Sequence, residues 1–288
     1  YYVPSAKYDR LIGKKSIYWI PDFQYLHYPQ YFTEEDKREK NEKYEVVARS
    51  KGKLVLSSQD CLKDFRSLHP DSQVKLAVVP FVSYIEKEIK KIDAGQEAEI
   101  LKKFGLEKGN YLYIPNQFWQ HKNHVVVLKA MKELKQMGEL EAFQFVFTGE
   151  MMDDRNPSYI EEIKGYMEDP EIAGNILNLG FLSRGEQLAV MKNAKMLIQP
   201  SLFEGWGTVL EDAKVLDKLV VLSDIPVHRE QKNQNCILFS PKDGRSLAKA
   251  ILEMNQRTHE DHVEQGLADM RKRASAYGNR LAQLLLQD

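Results

Sequence analysis

The stretch SLFEGWGTVLEDAK, residues 201–214, places two carboxylates, Glu204 and Glu211, on either side of a turn built from Gly205, Trp206 and Gly207. The chemistry this spacing allows starts from the helix that follows. Thr208 stands where a hydroxyl caps a helix. A helix amino terminus presents unpaired N–H groups and a positive dipole end, which favour an anion such as a diphosphate. Two glycines let the backbone come close to that anion. Glu211, in the first turn, is placed to accept hydrogen bonds from a vicinal diol such as ribose, and Glu204 to meet a sugar hydroxyl. From this stretch alone an ordinary helix cap explains the same residues.

A second candidate is Lys122 in YLYIPNQFWQHKNH, expected at the opening of a helix. A lysine there opposes the helix dipole, which makes sense if it faces a bound phosphate; a solvated lysine is the alternative. His121 and His124 flank it, but no carboxylate or cysteine sits at ligand spacing, so no metal is expected. A third candidate is WIPDFQYLHYPQYF, residues 19–32, where Asp22 and His27 lie among aromatics. Such a loop can form a wall against a sugar or simply pack at a sheet edge. DIPVHRE, 224–230, reads as a polar loop with a solvated ion pair. HEDH, 259–262, imitates metal spacing but is expected on the solvated face of a charged terminal helix. There is no G-x-G-x-x-G, no G-x-x-x-x-G-K-[ST], no G-x-S-x-G and no H-E-x-x-H, which weakens a nicotinamide oxidoreductase.

These residues need a frame. Nine short apolar runs recur, at 15–20, 53–58, 74–81, 111–115, 143–149, 175–181, 195–201, 218–223 and 235–240. Most are rich in Val, Ile, Leu and Phe without strict alternation, as strands buried on both faces of a parallel sheet are. Amphipathic segments separate them. From about 110 to 256 the order is βαβαβαβα, which predicts a doubly wound α/β sheet. Residues 84–108 are highly charged and read as a linker with an edge helix. The tail from 258 to 286 reads as helix. The expected division is 1–90 for a first, partial Rossmann-like lobe, 91–260 for a second, and 261–288 for a C-terminal helix.

At 288 residues the chain has room for a sizeable core. A formal charge of −1 gives no reason to expect nucleic acid as a partner. Two distant cysteines, Cys61 and Cys236, point to a reducing compartment rather than a disulfide framework. The opening YYVPSAKYDR lacks an initiator Met and the pattern of a signal peptide, so a fragment of a longer chain is expected.

Several blocks together resemble the family 4 glycosyltransferases, retaining enzymes of the GT-B fold: PSLFEGWGTVLEDAKVLDKLVVLSDIPVHREQ, NQFWQHKNHVVVLKAM, FVFTGE, NILNLGFLSRGEQLAVMKNAKMLIQPS and WIPDFQYLHYPQYF. They agree in order and spacing across about 15–256 and look most like bacterial members that build surface polysaccharides. The resemblance implies two Rossmann-like lobes, the first incomplete here. It implies Lys122 on the diphosphate, Glu204 on the donor sugar and Glu211 on the ribose. Gly205, Trp206, Gly207 and Thr208 form the loop at the sugar and phosphate, and Gly149 also belongs to the donor site. Phe181 and Leu182 supply the backbone site for the nucleobase. His27 or Asp22 answers to the residue nearest the anomeric centre.

The chain departs from the family in three ways. Six residues, not seven, separate the two glutamates; Gln117 replaces the arginine five residues before the lysine; and the glycine-rich acceptor loop is missing. The implied partners are a nucleotide-sugar donor, as substrate rather than cofactor, and a glycan or lipid-linked acceptor. Peripheral membrane association, through a part of the first lobe preceding this chain, would place the reaction at the cytoplasmic face. A non-catalytic nucleotide-sugar-binding fragment and a GT-B nucleotide-sugar epimerase remain open alternatives.

Overall fold

The computed structural model describes residues 17–286. The described residues divide into two compact units, one of 17–82, 204–207 and 271–286, the other of 83–203 and 208–270. Each of the nine apolar runs contains a strand among the described residues.

In the first unit β1 (Ile17–Ile20), β2 (Lys53–Leu56) and β3 (Lys75–Val78) form a parallel sheet in that order. Tyr18, Ile20, Leu54 and Leu56 point to one side and pack with Phe23, Tyr44 and Phe65. Those rings come from the loop after β1 and from α2 (Glu34–Ala48) and α3 (Gln59–Leu68), with the short α1 (Gln24–His27) between. Thr33 opens α2 with a reciprocal capping box to Asp36, which satisfies two otherwise orphaned N–H groups.

In the second unit six parallel strands run β6-β5-β4-β7-β8-β9. They are β4 (Leu112–Pro115), β5 (Phe145–Thr148), β6 (Ile176–Asn178), β7 (Met196–Gln199), β8 (Val220–Ser223) and β9 (Cys236–Phe239). The central strands β4, β5, β7 and β8 are buried throughout. That is why their sequences show apolar runs without alternation. The strand order reverses between β4 and β7, and in open α/β sheets this is where ligands bind, outside the strands' carboxyl ends.

Residues 84–108 are not a linker. They carry α4 (Glu86–Lys90) and α5 (Ala94–Lys103), which belong to the second unit. They are tied to a later helix by Lys103–Glu186 at 2.6 Å and by a Lys192–Glu97 pair. Two of the charges of this stretch therefore serve helix-to-helix ion pairs. The remaining helices are α6 (His124–Gln136), α7 (Pro157–Met167), α8 (Arg184–Asn193), α9 (Thr208–Val215), α10 (Pro226–Gln231), α11 (Gly244–Asn255) and α12 (Val263–Leu286).

The HEDH stretch lies ahead of α12, not on it. Asp217, at φ 53°, gathers it: its carboxylate accepts from the His262 N–H at 3.0 Å, and its carbonyl meets the His259 ring at 2.5 Å. Asp261 pairs at 2.8 Å with Lys218. His259, Asp261 and His262 are thus occupied in closing the turn that leads into β8.

Candidate active site

The carboxyl edge of the six-stranded sheet begins with a buried polar network at the strand reversal. Asn116 follows β4 and Gln199 ends β7. The Asn116 amide donates to Gln199 Oε1 at 3.0 Å, and Gln199 donates back at 3.3 Å and to Ser201 Oγ at 3.0 Å. All three residues are buried, and such networks persist only when their members are satisfied. This network locks the ends of the two strands that bound the crevice.

Lys122 sits on the loop after β4. It does not open a helix, as its sequence context suggests; it ends a single 3-10 turn, Gln120–Lys122, and α6 begins only at His124. Between them Asn123 adopts a left-handed conformation, φ 59° and ψ 41°. The Asn123 amide donates to the Pro200 carbonyl at 3.0 Å and to the Pro241 carbonyl at 2.7 Å. On the other side of Lys122, the His121 carbonyl accepts from the Leu202 N–H at 2.8 Å. The residues on both sides of the lysine are therefore fastened to the segment that leads from β7 towards α9. His124 is fully buried and stacks on Phe118, with ring centroids 4.2 Å apart. Burial pushes its imidazole down to about 3, so it stays neutral. Among the described residues no group of three or more His, Cys, Asp or Glu is arranged to hold a metal.

Gly149 follows β5 at φ 121°, and a Cβ there would stand 2.4 Å from the Asn116 carbonyl oxygen. Glycine is what lets the ends of β4 and β5 meet. Gln117 reinforces the join, its Oε1 accepting from the Glu150 N–H at 2.7 Å. Beyond β6, Leu182 is buried while Phe181 is 68% exposed. Ser183 then caps α8 through a capping box with Glu186.

Thr208 is the first residue of α9, one position inside the cap that sequence reasoning assigned to it. Glu211 is 1% exposed. Its Oε1 accepts from Lys214 at 2.9 Å and from Gln231 at 3.0 Å, so the carboxylate is oriented by two donors. Its neighbour Asp212, 2% exposed, accepts from Arg184 at 2.7 Å and from the Ser83 hydroxyl. After β8, Asp224 and Arg229 form the expected exposed ion pair, in fork geometry at 2.6 and 2.9 Å. His228, by contrast, is buried against Ser223, with Nδ1 3.0 Å from its hydroxyl.

The second unit thus gathers Lys122, Gln117, Gly149, Phe181, Leu182, Thr208 and Glu211 along one sheet edge. Glu204, Gly205, Trp206 and Gly207 fold with the first unit. There a Cβ on Gly205 would stand 2.3 Å from the Pro21 carbonyl oxygen and 2.8 Å from Asp22 Cβ. The Trp206 indole donates to the Phe81 carbonyl at 3.1 Å, and the Cys61 thiol reaches the Gly205 carbonyl at 3.8 Å. The close approach that Gly205 permits in this structure is to protein backbone.

Asp22 and His27 follow β1. Asp22 Oδ1 accepts from the Gln24 N–H at 2.9 Å and so holds its own turn. His27 Nε2 lies 2.8 Å from Asp64 Oδ2, and this hydrogen bond raises the imidazole above its usual range.

Sequence reasoning missed Asn116, Gln199, Asn123, Asp153 and Asp212. Asn116 and Gln199 each stand at the end of an apolar run and Asp212 stands inside a helix's buried stripe, whereas Asn123 and Asp153 carry no such mark.

Residues 96–278 match the family model described as glycosyl transferases group 1. The chain is 25% identical over 150 residues to the O-antigen chain mannosyltransferase RfbU of Salmonella typhimurium, an alignment covering 52% of this chain and 40% of that protein. Among solved structures it is similar to Anabaena Alr3699/HepE in complex with UDP and glucose, with a TM-score of 0.75 at 16% identity, covering 93% of this chain and 71% of that one. It is also similar to an α,α-trehalose-phosphate synthase from Burkholderia xenovorans, with a TM-score of 0.71 at 14% identity, covering 93% and 67%. The fold is the GT-B fold of these glycosyltransferases.

Proposed function

The chain belongs to the glycosyl transferases group 1, and on that premise we propose that it moves a sugar from a nucleotide-sugar donor to a glycan or lipid-linked acceptor. The observation that carries this reading is the fastening of the Lys122 turn to the segment before α9 through Leu202, Pro200 and the Asn123 amide. It sets a cation and the edge of a helix amino terminus on one side of one sheet, at the strand reversal where open α/β sheets take their ligands. In this reading Lys122 and the first N–H groups of α9 receive the charge that develops on the leaving diphosphate. Because the turn that carries Lys122 is fastened before the reaction, this reading calls on no divalent metal for that charge. The Glu211 carboxylate, oriented by Lys214 and Gln231, accepts the ribose hydroxyls. The backbone at Phe181 and Leu182 takes the nucleobase.

Retention of anomeric configuration is proposed from the resemblance to retaining enzymes. A surface-polysaccharide acceptor at the cytoplasmic face is proposed from that resemblance and from the likeness to an O-antigen chain mannosyltransferase. Glu204 and one of His27 and Asp22 are assigned to the donor sugar on the same footing.

A thermal-shift panel of UDP-, GDP-, ADP- and CMP-sugars tests the donor. A ligand bound only by the native state at about 100 times its Kd adds roughly 2.7 kcal/mol of stability, so one nucleotide class is expected to raise the Tm clearly above the rest. Calorimetry then fixes its affinity, and NMR of the product's anomeric proton reads retention. A panel that moves nothing would sink the donor reading, and an inverted product would sink retention alone.

A further inference from the structure

The same sheet edge carries a cation that the proposed reaction has not used. Arg155 lies between β5 and α7, in a segment organised by Asp153, which is only 5% exposed. Asp153 Oδ1 accepts from the Arg155 Nε at 3.1 Å and from its backbone N–H at 3.3 Å, and Oδ2 accepts from the Gln120 N–H at 3.0 Å. Gln120 begins the 3-10 turn that Lys122 ends. One buried carboxylate therefore supports both cations. The Arg155 guanidinium also lies 5.6 Å over the Trp119 ring, and the Trp119 carbonyl accepts from the Lys122 N–H at 2.8 Å.

The guanidinium is thus held at Nε and across one face, while neither terminal Nη group makes a hydrogen bond to any described residue. A fork fixed at its base with its outer N–H groups unengaged is suited to a phosphate, which arginine binds through parallel hydrogen bonds and lysine binds as a point charge. Glu150 and Asp154 share the segment, so net charge gives no attraction there and the recognition must be directional. Gln117 adds no charge, and its Oε1 is engaged by Glu150.

We propose that Arg155 is a phosphate-contacting residue of the donor site, its Nη groups taking non-bridging oxygens of the nucleoside diphosphate as the second cation beside Lys122. This rests on the nucleotide-sugar reading above. The test uses whichever nucleoside diphosphate binds the wild-type chain, measured by calorimetry, with its parent nucleoside measured by ligand-detected NMR. Arg155→Ala is expected to weaken the diphosphate about 10- to 100-fold and to leave the nucleoside unchanged. Arg155→Lys is expected to fall between, because an ammonium lacks the fork. Should Ala lower the Tm, Arg155→Gln, which keeps a stem over Trp119, takes its place. Equal diphosphate affinity in wild type and variant, or an equal loss for diphosphate and nucleoside, overturns this assignment while leaving the donor reading intact. Failure of the wild-type chain to bind any nucleoside diphosphate overturns both.

Discussion

The two units bring similar residues to the carboxyl ends of their strands and treat them differently. In the second unit the strand reversal is floored by a buried amide network, and Lys122 stands on a turn whose neighbours are bound to the next loop. In the first unit, Asp22 closes its own turn and His27 pairs with Asp64 near the surface. The histidines make the contrast sharpest. His124 is sealed among rings and held neutral, while His27 gains a carboxylate partner and is held towards the charged form. Residue type alone does not assign a role; the number of neighbours that fix a side chain does.

The contrast breaks most visibly at Lys122. If the second unit's edge is preorganised for a leaving diphosphate, Lys122→Ala should lower kcat by about 100- to 1,000-fold, the scale of a lost electrostatic contact to developing charge, with the Tm nearly unchanged. Near-normal turnover would remove the lysine from the reaction. A smaller effect distinguishes the histidines by pH. His124 has a folded value depressed to about 3, below the roughly 6.5 of an unfolded histidine. Between those values the unfolded chain binds the extra proton, so acidification destabilises the fold by about 1.4 kcal/mol per pH unit. His124→Leu should flatten this part of the acid slope when urea unfolding is compared at pH 7 and pH 5; an unchanged slope would mean the ring is not sealed.

His27 has the opposite sign. Its folded value is raised, so its contribution is fully present below about pH 6.5 and disappears as pH rises through the folded value. Because 42% of its side chain is exposed, the stability difference from His27→Gln should stay under about 1 kcal/mol. It should be larger at pH 5.5 than at pH 8, and the reverse order would contradict the pairing with Asp64.

The sheet was readable because burial on both faces leaves a plain mark: β4, β5, β7 and β8 admit almost no polar residue within their apolar runs. The segment 84–108 misled because its charges suggest a solvated tether, whereas it folds into two helices and two of those charges, Lys103 and Glu97, pair with α8. Lys122 could be picked out as a cation after a strand, but its setting could not. The helix was expected to start at the lysine, whereas Asn123 in a left-handed conformation delays it to His124. Such a backbone excursion leaves only a weak trace in residue types, since asparagine is merely tolerant of it. Asp153 and Arg155 were invisible for another reason. Their meaning comes from Gln120 and Trp119, more than thirty positions earlier, and no local pattern connects residues that far apart.

The Asn123 amide has one further consequence. By holding the Pro200 and Pro241 carbonyls at once, it ties the connections that follow β4, β7 and β9 to a single planar group with two N–H bonds to give. The ordering of the Lys122 loop is then settled when the chain folds, not when a ligand arrives, so an incoming anion meets a cation already standing in place and loses little of its binding free energy to arranging the protein. A side chain that need never touch the ligand would thereby set how tightly the ligand is held.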